Sequence, residues 1–229
     1  MKIATLGLDI QPGKSKYSCE CFEKLVKKFS PKKVSPYTVE FIGEDLEKAD
    51  AIVFDTNRRL DFVLLDLEKI ETRLSRADDE RERALLVKAQ GFLEKEHLLC
   101  DCDFSDDEKA FLKVLAPLSY KPSLASASGA DMNALIEQVL AKAKVLLFFT
   151  AGEKEVHAWD IRQGSTIIEA AGRIHSDLAR GFIKGEVIRC ADLDSFFNLA
   201  EARARGFAKI VERTYIMEPG NIIEIKFSV

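Results

Sequence analysis

Apolar positions change their period several times along this chain, and each change marks a new kind of element. Lys2–Leu8 is a short apolar run that predicts a buried strand, followed by a loop holding Gln11-Pro12-Gly13-Lys14-Ser15. Phe22, Leu25, Val26 and Phe29 fall at helical spacing within 19–29, and Pro31 and Pro36 then break the chain. Val39–Ile42 and Ala51–Phe54 predict two further strands. From Leu60 the period is that of a long helix, with Leu60, Val63, Leu64, Leu67, Ile70 and Leu74 as its stripe and Asp66, Glu68, Lys69 and Arg73 around it. Asp78-Asp79-Glu80 opens a second helix that runs to about Leu99, because carboxylates favour the positive end of the helix dipole. The two form a helical hairpin. Ser105 with Glu108 is a capping box for a third helix that Pro117 ends.

Beyond it, Lys121–Ser126 reads as a weak strand, and Ser128 with Asp131 opens a helix through about Ala143. Val145–Thr150 and Glu155–Ile161 predict strands around a turn at Ala151-Gly152, and a helix follows from Ser165 or Thr166. Gly181–Ile188 is a further strand, Ser195–Arg205 a helix, and Thr214–Met217 and Ile222–Val229 are strands around Pro219-Gly220. Two strands, a helix and more strands with a crossing element are the layout of a β-grasp sheet curled over one helix.

Charge is unevenly shared. The net charge is −4, which argues against a bulk nucleic-acid coat protein. Residues 61–113 hold 9 Lys+Arg against 15 Asp+Glu, a net of −6, so the rest of the chain sums to +2. This acidic middle is expected to face solvent or a basic partner. No stretch approaches the ~18–20 apolar residues of a membrane span, and the amino terminus is too polar for a signal peptide, so no membrane association and a cytoplasmic location are expected.

Five cysteines are an odd number, which fits reduced thiols in a reducing compartment. Cys19, Cys21, Cys100 and Cys102 make two Cys-x-Cys pairs, which could in principle build a tetrahedral zinc site. Their spacing is not that of a zinc knuckle, and half-buried thiols are the expectation. His175-Ser176-Asp177 cannot act as a relay, because neighbours on one segment lack that geometry. Trp159 lies on a strand and reads as a packing residue.

Phosphate binding is tested by one segment. A Walker A loop is Gly, four residues, then Gly-Lys-Ser/Thr, so that converging backbone N–H groups wrap the phosphates. Here Gly7 is followed by five residues before Gly13-Lys14-Ser15, and Pro12 directly precedes the second glycine. Pro12 supplies no N–H, and the added residue puts the amides out of register.

The carboxy-terminal third carries a resemblance. Phe148-Phe149-Thr150-Ala151-Gly152-Glu153-Lys154-Glu155-Val156, Ala158-Trp159, Gln163-Gly164-Ser165-Thr166, Ala170-Ala171-Gly172-Arg173-Ile174-His175-Ser176-Asp177 and Arg180-Gly181-Phe182-Ile183 together resemble the carboxy-terminal domain of the YchF-type (Obg-like) P-loop ATPases, a TGS domain of ubiquitin-like shape. Leu64–Leu74 resembles the family's helical insert, and Lys121-Pro122-Ser123-Leu124 matches the strand before its adenine-reading motif. Ala125-Ser126-Ala127-Ser128-Gly129-Ala130 stands where Asn and Glu would be required, and no Asp-x-x-Gly magnesium motif precedes Leu60.

The resemblance implies a mixed α+β and α/β fold: a shrunken, degenerate P-loop-like α/β domain over 1–59 and 117–143, a helical-hairpin insertion over 60–116, and a ubiquitin-like β-grasp TGS domain over 144–229. It implies that Gly7, Gly13, Lys14 and Ser15 are a vestigial nucleotide site, and that catalysis is not expected, since phosphoryl transfer has lost its positioning groups. No cofactor is expected, with ATP or GTP and magnesium as the alternative. The implied function is a non-catalytic, translation-associated binding protein whose TGS domain contacts RNA, the ribosome or a protein partner. The residues expected to make that contact are Lys154, His157, Arg162, Lys184, Arg203, Arg205, Lys209 and Arg213. The alternative is a purine-nucleotide-binding regulator or weak NTPase using Gly13-Lys14-Ser15. Residues 145–229 hold 11 Lys+Arg and 12 Asp+Glu, so any basic patch is offset elsewhere on that domain.

Overall fold

The computed structural model describes residues 1–228. The chain divides into two compact units: Met1–Ser15 with Val39–Ala143, and Lys16–Thr38 with the chain from Lys144 onward. Residues 16–38 therefore belong with the carboxy-terminal unit, and residues 1–59 do not form one piece of a single domain.

The first unit is built on the parallel strands β1 (Lys2–Leu6), β4 (Tyr37–Phe41), β5 (Ala51–Asp55) and β6 (Ser123–Ser126). With β2 (Gly13–Tyr17) at the edge, the sheet order is β2-β4-β1-β5-β6. β1 pairs in parallel with β5 from Ile3 opposite Ala51 to Leu6 opposite Phe54, and β5 pairs with β6 from Ile52 opposite Ser123 to Asp55 opposite Ser126. Ile52, Val53 and Phe54 are fully buried, as expected of a parallel strand covered on both faces.

The helical hairpin forms as the periodicity predicts: α2 (Arg59–Leu74) and α3 (Glu80–Leu93), followed by α4 (Asp106–Leu115) with both halves of the Ser105–Glu108 capping box in place. Its buried face differs from the expected stripe. Val63 and Ile70 are fully buried, but Leu60 and Leu64 are 52% and 45% exposed, while Phe62 and Asp66 are completely covered. The Asp66 carboxylate accepts the Leu118 N–H at 2.7 Å and the Ser119 N–H at 2.6 Å, satisfying the first amides of a 3₁₀ turn at Leu118–Tyr120. α5 (Met132–Lys142) closes the unit, and its N-cap is Asp131, whose carboxylate accepts the Ala134 N–H.

The second unit carries a six-stranded sheet. β3 (Lys33–Ser35), β7 (Val145–Ala151), β8 (Glu155–Arg162), β9 (Phe182–Arg189), β10 (Lys209–Val211) and β11 (Asn221–Phe227) lie in the order β10-β9-β11-β7-β8-β3. One face covers α6 (Ile167–Ile174), entered through a Thr166–Glu169 capping box. Ile167, Ala170 and Ala171 pack there with Phe148, Val187 and Ile223, the β-grasp arrangement of a sheet around one helix. α7 (Ser176–Arg180) follows directly and ends at Gly181, where a Cβ would lie 2.1 Å from the Ser228 carbonyl oxygen.

Several local expectations are corrected. Gly13–Tyr17 is a strand rather than a loop, and Lys33–Ser35 is a strand pairing in parallel with Glu155–His157. The crossing strand is Lys209–Val211, paired antiparallel with β9. Thr214–Met217 contributes only the bridge Thr166–Ile216. The helix expected over Ser195–Arg205 is a 3₁₀ segment at Cys190–Ser195 and a short α8 (Leu199–Ala204). The last strand is described to Phe227, and Val229 lies outside the described residues. The thiols are not all reduced: Cys21 and Cys190 form a disulfide with Cα atoms 5.9 Å apart. Sequence spacing hid this pair because 169 residues separate its members.

Candidate functional sites

In an open parallel sheet, ligands bind outside the carboxyl ends of strands where the chain reverses its direction of travel across the sheet. Here that point lies beyond β1 and β5. Gly7 turns the chain at φ +71°, a conformation suited to glycine, and a Cβ there would meet the Arg58 side chain at 2.8 Å. Two of the loop's amides are already engaged. The Gly7 N–H donates to Glu44 Oε1 at 3.4 Å, and the Ile10 N–H donates to the Leu8 carbonyl at 2.9 Å.

Across the crevice, the Asp55 carboxylate accepts the Asn57 N–H at 2.8 Å and the Ser128 hydroxyl at 3.3 Å. Thr56 Oγ1 donates to the Ser126 carbonyl at 3.4 Å, and Arg58 is engaged by Asp61 at 2.6 Å. The Arg58 guanidinium at this crevice is thus paired with a carboxylate, and the Asp55 carboxylate is engaged by Asn57 and Ser128.

Of the residues expected to hold nucleotide, Gly7 lies at this crevice. Gly13, Lys14 and Ser15 do not sit in a loop leading into a helix; they lie along β2, where successive groups alternate between the two faces of the sheet. The signal that could have shown this is Lys14-Ser15-Lys16-Tyr17, a polar edge-strand pattern ending in a buried aromatic.

In the carboxy-terminal unit the expected basic residues scatter. Arg203 sits on the sheet face away from α6, held by Glu186 at 2.6 Å and by Glu224, which are cross-strand partners. Arg205 is paired with Glu201, and Arg213 donates to the Phe182 carbonyl. His157 stacks on Trp159 at 3.8 Å between centroids, and Glu155 lies 3.3 Å from its Nδ1. Burial holds the imidazole below its usual pKa, with Lys33 pushing the same way and Glu155 opposing. Lys154, Arg162, Lys184 and Lys209 carry no ion pair among the described residues. Of these, Lys209 lies on the edge strand β10 and Lys184 on the neighbouring interior strand β9, and Ile183 and Ile210 are exposed on the same two strands.

The same unit holds elements that sequence reading had not placed there. α1 (Glu20–Phe29) packs on β7 and β8, with Phe22 against Phe149 at 6.1 Å between centroids. β3 extends the β8 edge, its Lys33 N–H donating to the Lys154 carbonyl. Cys19 and Cys21 lie in this unit, Cys100 and Cys102 in the other. Among the described residues no group of three or more potential metal ligands is found. His175 Nδ1 accepts the Asp177 N–H at 3.2 Å, the role of a helix cap. Trp159 is half-buried against the α6 core and donates from Nε1 to Thr150 Oγ1. No described helix is long and apolar enough to cross a membrane.

Fold and sites together define a protein with an α/β domain of P-loop-like layout and a carboxy-terminal β-grasp domain. Residues 145–228 match the family described as YchF-GTPase_C, a protein of unknown function (DUF933). The chain is 30% identical over 147 residues to the ribosome-binding ATPase YchF of Mycoplasma genitalium, covering 63% of this chain and 40% of that protein. It is 44% identical over 81 residues to Obg-like ATPase 1 of Caenorhabditis elegans, covering 35% of this chain and 20% of that protein. The structure of the Schizosaccharomyces pombe YchF GTPase superposes with a TM-score of 0.77 at 18% identity, over 95% of this chain and 88% of that one. The chain is thus similar to the YchF/Obg-like family, most directly over residues 145–228, and it spans less than half the length of these curated relatives.

Proposed function

We propose that this protein is a non-catalytic, translation-associated binding protein that contacts the ribosome through its carboxy-terminal unit. The observation that carries the reading is the strand at Gly13–Tyr17. A phosphate cradle needs several N–H groups converging on one point at the start of a helix. A strand offers them alternately to either side, and the one guanidinium beside Gly7, Arg58, is already paired with Asp61. Relatives named as ribosome-binding ATPases support the partner class. The contact surface is the β10 edge of the sheet together with the adjoining strand β9, where Lys209 and Lys184 meet phosphates and Ile210 and Ile183 supply apolar area. Arg203 and Arg205, spent on carboxylates, are not part of it.

Two measurements test the proposal together. Titration with magnesium-ATP and magnesium-GTP is expected to give no saturable binding at millimolar nucleotide, with Lys14→Ala indistinguishable from the parent. Co-sedimentation with ribosomes is expected to be retained at low salt and to fall about tenfold when Lys184 and Lys209 are both replaced by Glu. Micromolar, Lys14-dependent nucleotide binding would overturn the first half and favour a nucleotide-binding regulator. Failure to sediment with ribosomes would overturn the second.

A further inference from the structure

We propose that Cys21–Cys190 is a reversible thiol–disulfide exchange site that locks α1 against the 190–196 segment. External thiols of the glutathione or dithiol-protein class would enter through Cys190. The argument rests on where the two sulfurs sit. Cys21 occupies the first turn of α1, and Cys190 begins the 3₁₀ segment that leaves β9. Along α1, Cys21, Lys24 and Lys28 form one stripe, and each meets that segment. Cys21 bonds Cys190, Lys24 Nζ lies 3.4 Å from Asp194, and Lys28 Nζ donates to the Leu193 carbonyl at 2.7 Å and to that of Phe196. Lys28 also stands 4.8 Å from the Phe196 ring centroid. The disulfide is thus the one covalent member of a contact whose other members persist without it. Reduction would loosen the 190–196 segment while α1 stays in place.

The two sulfurs are unequal. Cys21 is buried, whereas Cys190 is half-exposed and is the one an incoming thiolate reaches. Attack on Cys190 Sγ forms a mixed disulfide and expels the Cys21 thiolate. That anion leaves at the amino end of a ten-residue helix, where the dipole and unsatisfied amides favour it. A second thiolate attacks the external sulfur of the mixed disulfide and frees the Cys190 thiolate. The net change is two external thiols oxidised to one disulfide, with Cys21 and Cys190 reduced. Cys100 and Cys102 offer the contrast. Burial pushes both thiols up in pKa, and the Cys102 thiol donates to the Leu98 carbonyl at 3.3 Å, so neither is placed to exchange.

The test uses the full chain equilibrated across glutathione ratios at about 10 mM total, quenched in denaturant with an alkylating agent, and read by intact mass and peptide mapping. Oxidised protein is expected to take up label on the three cysteines outside the bond, and reduced protein on all five. The interconversion should be reversible, with Cys21 and Cys190 changing together. Melting temperature should fall by roughly 5–15 °C on reduction, and hydrogen exchange should rise at 190–196 but not along β5. Because the parent chain is its own reduced control, Cys190→Ser is a second check that should match the reduced state. Labelling of all five cysteines at every ratio would sink the proposal. So would a bond that resists about 10 mM dithiothreitol under native conditions, or a reduced state with unchanged exchange at 190–196.

Discussion

The carboxyl-end crevice of the first unit and the sheet of the second are built on opposite principles. The first has the strand order and the turn glycine of a ligand-binding α/β sheet, yet its loop amides bond to Glu44 and Leu8 and its Arg58 is paired with Asp61. The second has its β-grasp core together with α1 and β3, which pack on Phe149 and extend the β8 edge. Residues 16–38 follow the Gly13-Lys14-Ser15 segment, where a P-loop would lead into its helix, and they pack in the carboxy-terminal unit instead. A nucleotide site depends on a few exact backbone vectors and vanishes with one strand. A packed sheet depends on summed apolar burial and tolerates additions.

The largest expected effect breaks the second region. Phe22→Ala opens a cavity between α1 and β7 and should destabilise the chain by ~3–5 kcal/mol, measured by urea unfolding. If α1 is only loosely attached, the loss will instead be a small fraction of this.

Next comes the buried carboxylate of the first unit. Asp66→Ala leaves the Leu118 and Ser119 amides without their acceptor and should cost about 2–3 kcal/mol. Burial raises the Asp66 pKa against the pull of those amides. Its native form therefore binds a proton more readily than the unfolded chain does. Its contribution favours folding at low pH and is lost as pH rises from the unfolded carboxyl value of about 3.9 through the raised folded one. Asp66→Asn should flatten that stretch of the stability–pH curve. An unchanged slope would show that the carboxylate titrates normally.

The smallest effect is local and concerns His157. Because its folded pKa is lowered, the unfolded chain takes up a proton first as pH falls below about 6.5. Stability then drifts down until the folded value is passed. Trp159 is the sole tryptophan, so its fluorescence reports the stacked imidazole directly. Emission should change as pH falls below the ordinary imidazole value of about 6.5, and His157→Phe should abolish the change.

Much of the fold was legible wherever the signal is local. The hairpin helices announce themselves by period, and the Ser105 and Asp79 caps by the carboxylates and hydroxyls that a helix start requires. Buried strands such as Ala51–Asp55 show as unbroken apolar runs. Asp66 was misread as rim because its partners lie 52 and 53 residues away, and no pattern within α2 encodes them. β2 and β3 were missed because edge strands of polar residues have no hydrophobic alternation to reveal them. The basic residues of the last third stand out in the sequence one by one, but not their partners. Only the fold could show that Glu186 and Glu224 stand opposite each other and hold Arg203.

The sequence by itself thus determined the helical hairpin and most of the strands and the central helix of the last third, because periodicity, caps and turn residues act over a few positions. The tertiary structure alone decided that Gly13-Lys14-Ser15 is a strand, that residues 16–38 pack with the last third, and that Cys21 meets Cys190. Each of these depends on a partner far away in the chain, and the free energy of such a contact belongs to the pair rather than to either segment.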